Sequence, residues 1–216
     1  MNNSLPVARP GLRFIIIALA VWLICLIAGW CVAAVFFFLL LGFVSWFFRD
    51  PERPTPPEGF GLSPADGRVI KIEYVEQNPY TNAPARKVSI FMSVFNVHVN
   101  RTPVSGRILS QTYFPGAFVN ASFDKASEHN ERNALVLDTP QGPVAMVQIA
   151  GLVARRIVSW VGDGDELRRG QRVGMIRFGS RVDLYLPTDS EIMVTIGQNV
   201  SAGWSPIWRD GSGGKA

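Results

Sequence analysis

The sequence predicts a mostly β protein: a compact, barrel-sandwich-like β domain preceded by an N-terminal transmembrane or re-entrant helical segment. Three observations predict it. From Phe14 to Phe48 the chain reads "FIIIALAVWLICLIAGWCVAAVFFFLLLGFVSWFF", without one charged side chain. A spanning helix needs roughly 20 such residues, whereas the apolar core of a cleaved signal peptide has only about 7–15. From Gly61 onward, short β-branched runs such as "GRVIKIEYV", "RKVSIFM", "NALVLDT" and "RVDLYLP" alternate with Gly, Pro, Asn and Asp, the pattern of strands and turns. Finally, the segments 66–72, 105–111, 170–176 and 197–203 each open on a turn glycine and enter a strand. Such echoes belong to β folds in which related hairpins pack around a pseudo-twofold axis.

Taken in order, residues 1–13 are an N-terminal cytoplasmic tail and 14–48 the membrane segment. Gly29 divides the apolar run into two halves, and basic residues flank both ends: Arg9 and Arg13 before it, Arg49 and Arg53 after it. The positive-inside rule puts both ends in the cytoplasm, which predicts a helical hairpin at the cell (inner) membrane. A single tilted span is the competing reading. Residues 49–60, "RDPERPTPPEGF", form a stiff Pro-rich linker. Residues 61–205 are the β domain, with no long helical pattern; "SFDKASEHNERN" holds at most a short helical turn. Residues 206–216 read as a flexible tail.

Several function classes are excluded. Cys25 and Cys31 both lie in the apolar run, so neither a disulfide framework nor a cysteine zinc site is available to the β domain. The net charge of +4 comes from scattered arginines and pairs such as Arg155-Arg156 and Arg168-Arg169. Without a basic stripe or interleaved aromatics, anionic lipid head groups are a better match than nucleic acid. A zinc hydrolase would have to use His98, His129 and a carboxylate together, because these are the only two histidines; no metal is expected. No G-x-S-x-G elbow exists for a serine hydrolase, and no lysine sits at a hairpin tip to carry a lipoyl or biotinyl group.

Single residues read most simply as structure. Asp66-Gly67 is a hairpin signal. His98 shares strand parity with Val94 and Asn96 and so faces a polar pocket or the surface, and Asn130-Glu131-Arg132 reads as a solvated loop. In "GMIRFGSRVDLYLP" (174–187), Gly179-Ser180 interrupts a period-two strand, where a glycine implies a bulge or the close approach of another backbone.

Together, "SPADGRVI", "FMSVFNVHVNRTPVSG", "FPGAFVNASFDKASEHNERN", "QIAGLVARRIV" and "RFGSRVDLYLP" follow one another in an order that closely resembles the phosphatidylserine decarboxylases, in particular their short membrane-anchored class. The likeness covers about residues 45–205. It implies that the Gly179–Ser180 bond is a self-cleavage site. Ser180 would attack the preceding carbonyl, and elimination would leave a pyruvoyl group at residue 180. The products would be a β chain, 1–179, and an α chain, 180–216, that stay associated.

The pyruvoyl ketone would take the amine of membrane phosphatidylserine as a Schiff base, lose CO2 and release phosphatidylethanolamine. The resemblance gives Ser180 as pyruvoyl precursor, His98 as proton donor near the reacting carbon, and Asp66 as an aid to self-cleavage. Arg101, Arg155 and Arg156 are phosphate-binding candidates by charge. Longer bacterial members carry a second histidine three residues after the first, as base in an Asp-His-Ser triad. This chain has Arg101 there, and a guanidinium is a poor base. Either His98 does both jobs or Asp66 acts with another partner. Two further readings stand beside this one: archaetidylserine decarboxylation by the same chemistry, and an inactive membrane-anchored β binding module. The sequence leaves homo-oligomerisation open.

Overall fold

The computed structural model describes residues 6–116, 130–151, 156–177 and 180–209. The chain divides after Glu52 into two units.

In the first unit the apolar run forms two helices, α1 (Arg9–Ile27) and α2 (Cys31–Phe47). Helix α1 ends because Gly29 takes a left-handed conformation (φ 71°). The Trp30 N–H then reaches the Cys25 carbonyl (2.9 Å) and the Gly29 N–H the Leu26 carbonyl (3.1 Å), closing the last turn as a Schellman motif. The chain turns back, and its two ends zip together: Ala8 N–H donates to the Phe48 carbonyl and Asp50 N–H to that of Pro6, both at 2.8 Å. Phe14 and Phe48 stack at 5.5 Å, and a Cβ on Gly11 would strike the Phe48 ring. Ile16, Ile24, Ile27, Val32, Val35, Phe36 and Leu39 point outward and exposed. At 1.5 Å per residue, α1 measures about 28 Å, close to the thickness of a hydrocarbon core. It is long and apolar enough to cross a membrane.

The second unit holds the strands β1 (Gly61–Leu62), β2 (Gly67–Val75), β3 (Ala85–Met92), β4 (Val99–Arg101), β5 (Gly106–Phe114), β6 (Arg132–Asp138), β7 (Val144–Ala150), β8 (Ile157–Ser159), β9 (Glu166–Leu167), β10 (Arg172–Ile176), β11 (Ser180–Leu186), β12 (Glu191–Ile192), β13 (Asn199–Val200) and β14 (Pro206–Arg209). Eight of them form a curled antiparallel sheet in the order β13-β2-β3-β11-β7-β6-β5-β9. Two three-stranded sheets, β1-β14-β12 and β4-β10-β8, pack on its inner face around Val88, Ile90, Leu135, Met146, Val173, Val182, Leu184 and Trp208.

A pseudo-twofold axis relates β1–β3 to β4–β6 and β7–β10 to β11–β14. Leu62 N–H donates to the Pro103 carbonyl (2.9 Å), and Arg101 N–H returns the bond to that of Pro64 (3.0 Å). Ser63 Oγ donates to Ala65 O as Thr102 Oγ1 does to Val104 O. A Cβ on Gly67 would run into the Phe91 carbonyl, and one on Gly106 into that of Asp138. Both strands bulge at the same distance downstream, between Val69 and Lys71 and between Ile108 and Ser110. The echo of 66–72 in 105–111 is therefore structural. The other two echoes are not counterparts of one another: Gly170 N–H bonds to Thr102 O as Gly203 N–H does to Ser63 O. Segment 170–176 thus corresponds to 203–209. A turn glycine recurs wherever the chain reverses, so it marks a strand start without saying which half of a repeat it belongs to.

Three local expectations change. First, 174–187 is not one strand: β10 ends at Ile176 in a small sheet and β11 begins at Ser180 in the large one. Alternation persists when a chain passes between stacked sheets, so periodicity does not reveal the crossing. Second, β14 carries the β unit to Arg209, with Ile207 and Trp208 buried, so the tail does not begin at 206. Third, Asn130 and Glu131 are buried rather than solvated. Asn130 Nδ2 donates to Ala150 O (2.7 Å) and Glu131 Oε1 accepts from Ile157 N–H (3.0 Å).

Candidate active site

Ser180 heads β11, between β3 and β7, paired to Met92 on one side and Ala150 on the other. Its side chain is fully buried on the inner face, and Oγ lies 3.3 Å from Met92 Sδ. A thioether is a weak acceptor, so this hydroxyl is desolvated yet only lightly held. Gly179 lies outside the described residues. Asn100, on β4, reaches the same sulfur with Nδ2 at 3.7 Å.

His98 is fully buried just before β4. Residues 93–96 form a turn, closed by Asn96 Oδ1 accepting from Ser93 N–H and Oγ, both at 2.8 Å. No strand runs through Val94 and Asn96, so the parity argument for His98 does not apply; the turn aims the ring inward. Nδ1 is 2.9 Å from the Asn96 carbonyl. A carbonyl only accepts, so Nδ1 carries a hydrogen, and whenever the ring is neutral its lone pair is at Nε2. The His98 carbonyl accepts from Ile176 N–H (3.3 Å), tying the end of β10 to the histidine four residues before Ser180.

Asp66 is no hairpin turn. Its carboxylate takes Arg53 bidentately at 2.5 and 2.8 Å and accepts from Ala202 N–H at 2.8 Å. Arg53 also donates to Ala202 O (2.8 Å), so the linker is bolted to the β domain. Arg101 is buried, and its guanidinium donates to Gly170 O at 3.1 Å beneath Gly203. Arg156 is exposed, its carbonyl accepting from Arg177 N–H; Arg155 and His129 lie outside the described residues. Among the described residues no group of His, Cys, Asp and Glu could hold a metal.

The sheet's outer face carries a separate charge cluster. Arg181 pairs with Asp183 at 2.6 and 2.7 Å, and Lys87 bridges Asp183 and Glu73. Burial pushes the Tyr185 phenol far above its ordinary range, with the Asp183 charge adding to the effect. The pseudo-twofold counterpart of the Ser180 site is a cavity of about 230 Å³ lined by Glu58, Ser105, Thr139, Arg169 and Trp208, among others. There Ser105 takes the place of Asp66, its Oγ accepting from Arg169 N–H (3.0 Å), and Gly59 takes the place of His98.

A family model for phosphatidylserine decarboxylase matches residues 40–207. The chain belongs to the phosphatidylserine decarboxylase family. A relative from Paraburkholderia phymatum is 53% identical over 206 residues, covering 94% of this chain and 96% of its own. One from Burkholderia ambifaria is 54% identical over 205 residues (94% and 95%), and one from Magnetococcus marinus 48% over 212 (97% of each). All three are named phosphatidylserine decarboxylase proenzyme, that is, precursors of a carboxy-lyase.

In this phosphatidylserine decarboxylase family chain, the structure brings Asn100, Met92 and Ser180 together, with His98 just before β4, two residues ahead of Asn100. It keeps Asp66 with Arg53 and Ala202. Sequence reasoning misses Asn100 and Arg53. The signal for Asn100 is its place two residues from His98, whereas Arg53 reads from sequence only as a membrane-flanking charge. Replacing Arg53 by alanine leaves a largely buried carboxylate without its partner, a loss of about 3 kcal/mol. The unfolding midpoint of the full chain in detergent should fall by about 6–12 °C. A shift under about 2 °C would mean the anchor contributes nothing to stability.

Proposed function

We propose that this chain is a self-processing proenzyme that cuts itself between Gly179 and Ser180 and decarboxylates phosphatidylserine to phosphatidylethanolamine and CO2. The observation that carries the reading is Ser180 itself. It is a buried hydroxyl on a thioether, at a crossing between sheets, in a chain about half identical to proteins named as proenzymes.

Cleavage requires Ser180 Oγ to lose its proton and bond to the Gly179 carbonyl carbon. The C–N bond breaks, the amine takes the proton, and an ester remains. Removal of the Ser180 α-proton then breaks the Cβ–O bond and frees the Gly179 carboxylate. Water replaces the nitrogen of the resulting dehydroalanine, and ammonia leaves. His98 is the described residue suited to move these protons: Nδ1 is fixed on Asn96, which leaves Nε2 the basic atom. Arg101 is committed to Gly170 O, and Asp66 to Arg53 and Ala202, which suits both to positioning. Arg156 remains the described candidate for the lipid phosphate.

The site fits a pyruvoyl group: residue 180 is buried, beside an amide donor on Asn100 and with His98 nearby in the chain path. Such a group supplies an electrophilic ketone for the substrate amine and a sink for the electrons released with CO2. The chain's own residues exclude water, orient the head group and return a proton from His98 to the carbon that lost CO2.

The fold also supports two chains that stay together. After a cut at 180, β11 still lies between β3 and β7, β14 between β1 and β12, and β13 beside β2. Val182, Leu184, Leu186 and Ile207 are buried across this division, each stabilising it by about 1.5–3 kcal/mol. The helical pair, with its ends joined and arginines beside them, suits an anchor holding the domain on the cytoplasmic side, next to its lipid substrate.

Intact mass measurement on the detergent-purified protein tests the reading. The expected result is two chains divided at Gly179/Ser180, the smaller starting with pyruvoyl instead of serine. A single uncut chain would leave the inactive membrane-tethered binding module.

A further inference from the structure

Four side-chain amides cross the inner face of the sheet, otherwise apolar there, in one hydrogen-bonded line. Gln111 Nε2 on β5 donates to Asn133 Oδ1 on β6 (3.1 Å). Asn133 Nδ2 donates to Gln148 Oε1 on β7 (3.0 Å), and Gln148 Nε2 to Asn100 Oδ1 on β4 (2.8 Å). Asn100, Asn133 and Gln148 are all buried, with at most 2% exposure. Buried amides are costly unless every member is satisfied, and here each link satisfies the next.

The direction of the line is not arbitrary. Asn100 Nδ2 lies 3.4 Å from the Pro64 carbonyl, which can only accept. That contact fixes the Asn100 amide with its nitrogen toward Pro64 and its oxygen toward Gln148. Gln148 must then offer nitrogen, and the same logic runs back through Asn133 to Gln111. Every amide therefore donates toward Asn100, and chains of aligned donors polarise one another. The remaining hydrogen of Asn100 Nδ2 faces Met92 Sδ, the same atom that receives the Ser180 hydroxyl. A polarised N–H is thus parked on a weak acceptor beside the nucleophile, where exchange for a charged oxygen would be a large gain.

We infer that Asn100 is the oxyanion donor for self-cleavage, with Gln148, Asn133 and Gln111 as positioning residues that hold its N–H on Met92 Sδ, the atom that Ser180 Oγ also meets. The inference rests on the self-processing reading above. When Ser180 Oγ bonds to the preceding carbonyl carbon, the electron pair of the C=O bond moves onto oxygen. Asn100 Nδ2–H leaves the sulfur and donates to that oxyanion; the pair then returns as the C–N bond breaks. The donor is set before the reaction and is shielded from water, the condition under which such bonds contribute most.

The test follows cleavage by intact mass in the full chain, in detergent, for wild type, Asn100→Ala and Asn100→Asp. The aspartate keeps the shape and the acceptor but loses the N–H. Both variants should release the 180–216 chain about 10²–10³ times more slowly. Hydroxylamine, which cuts esters, should not cut them either, because the ester does not accumulate without the donor. Ester that builds up would place the block at the later elimination instead, and an unfolding midpoint near that of wild type in Asn100→Asp sets a lost donor apart from a merely structural defect. Wild-type cleavage rates in both variants, or hydroxylamine scission at Ser180 in Asn100→Ala, would overturn the inference. If Asn100→Ala does not fold, Gln148→Met carries the test: it removes the donor to Asn100 Oδ1, and about tenfold slower cleavage is expected. An unchanged rate there counts against the inference. A wild-type protein that is itself uncut sinks the self-processing reading instead, so the two failures are distinguishable.

Discussion

Ser180→Ala yields one uncut chain with no decarboxylase activity. The substitution removes a single oxygen from a fully buried side chain whose contact is a 3.3 Å approach to Met92 Sδ. An O–H on a thioether is a weak bond, so stability should change by less than about 1 kcal/mol. Everything else the variant loses is chemical. A methyl group has no nucleophile for the acyl shift and no leaving group for the elimination, so neither the cut nor the ketone can form. The expected pattern is therefore a near-native unfolding midpoint, a single mass for the full chain, and no CO2 released from labelled phosphatidylserine. Cleavage at the same bond in Ser180→Ala would mean that a contaminating protease, and not Ser180, makes the cut. Decarboxylation by the uncut variant would mean the chemistry does not pass through residue 180.

The second large effect is at His98. Its ring has Nδ1 held on the Asn96 carbonyl, and its own carbonyl is bonded to Ile176, so exchanging the two ring nitrogens would break the Nδ1 hydrogen bond. His98→Ala should slow decarboxylation by about 10²–10⁴, the usual weight of a positioned acid or base. Because Asp66 and Arg101 are committed to other partners, the same variant should also slow the appearance of the 180–216 chain. Two assays separate the roles: cleavage followed by mass, and turnover per cleaved molecule. Slow cleavage with slow turnover assigns His98 to both steps. Fast cleavage with slow turnover would confine it to decarboxylation and reopen the search for the cleavage base. Normal rates in both would remove His98 from the mechanism.

The apolar segment and the β class are legible in the sequence because each depends on local chemistry. An uncharged run like 14–48 must leave water wherever its neighbours go. Gly29 reads as a helix break because a left-handed residue is cheap only without a Cβ. Taken singly, Gly179-Ser180 reads as a bulge, and Ser180 stands out only because "RFGSRVDLYLP" resembles a family motif in consecutive residues. The internal echo is half legible: 66–72 and 105–111 do occupy equivalent places, since both glycines meet a partner-strand carbonyl. The segments 170–176 and 197–203 share the turn glycine without occupying equivalent places, because turn glycines serve many reversals.

The expectations that fail concern partners distant in the chain. Asp66 looks like a turn because its Asp-Gly neighbour is a local signal, while its real partners, Arg53 and Ala202, come from the linker and from the far end of the chain. Asn130 and Glu131 look solvated because polar runs usually are; they are buried because they bond Ala150 O and Ile157 N–H. Arg53 looks like a topological charge because membrane-flanking arginines commonly are.

By itself the sequence determined that a long uncharged apolar segment precedes a β domain, and that Ser180 holds a distinctive place within it. Apolar burial and backbone preference act over a few neighbouring residues and can be read there. Only the tertiary structure decided that the chain changes sheets between Ile176 and Ser180, and that one of two pseudo-equivalent corners carries Asp66 and His98 where the other carries Ser105 and Gly59. It alone joined Gln111, Asn133, Gln148 and Asn100 into a directed line. Those outcomes depend on strand register and sheet stacking, where a shift of one residue turns every side chain to the opposite face. No stretch of consecutive residues carries that register; the paired strands set it together.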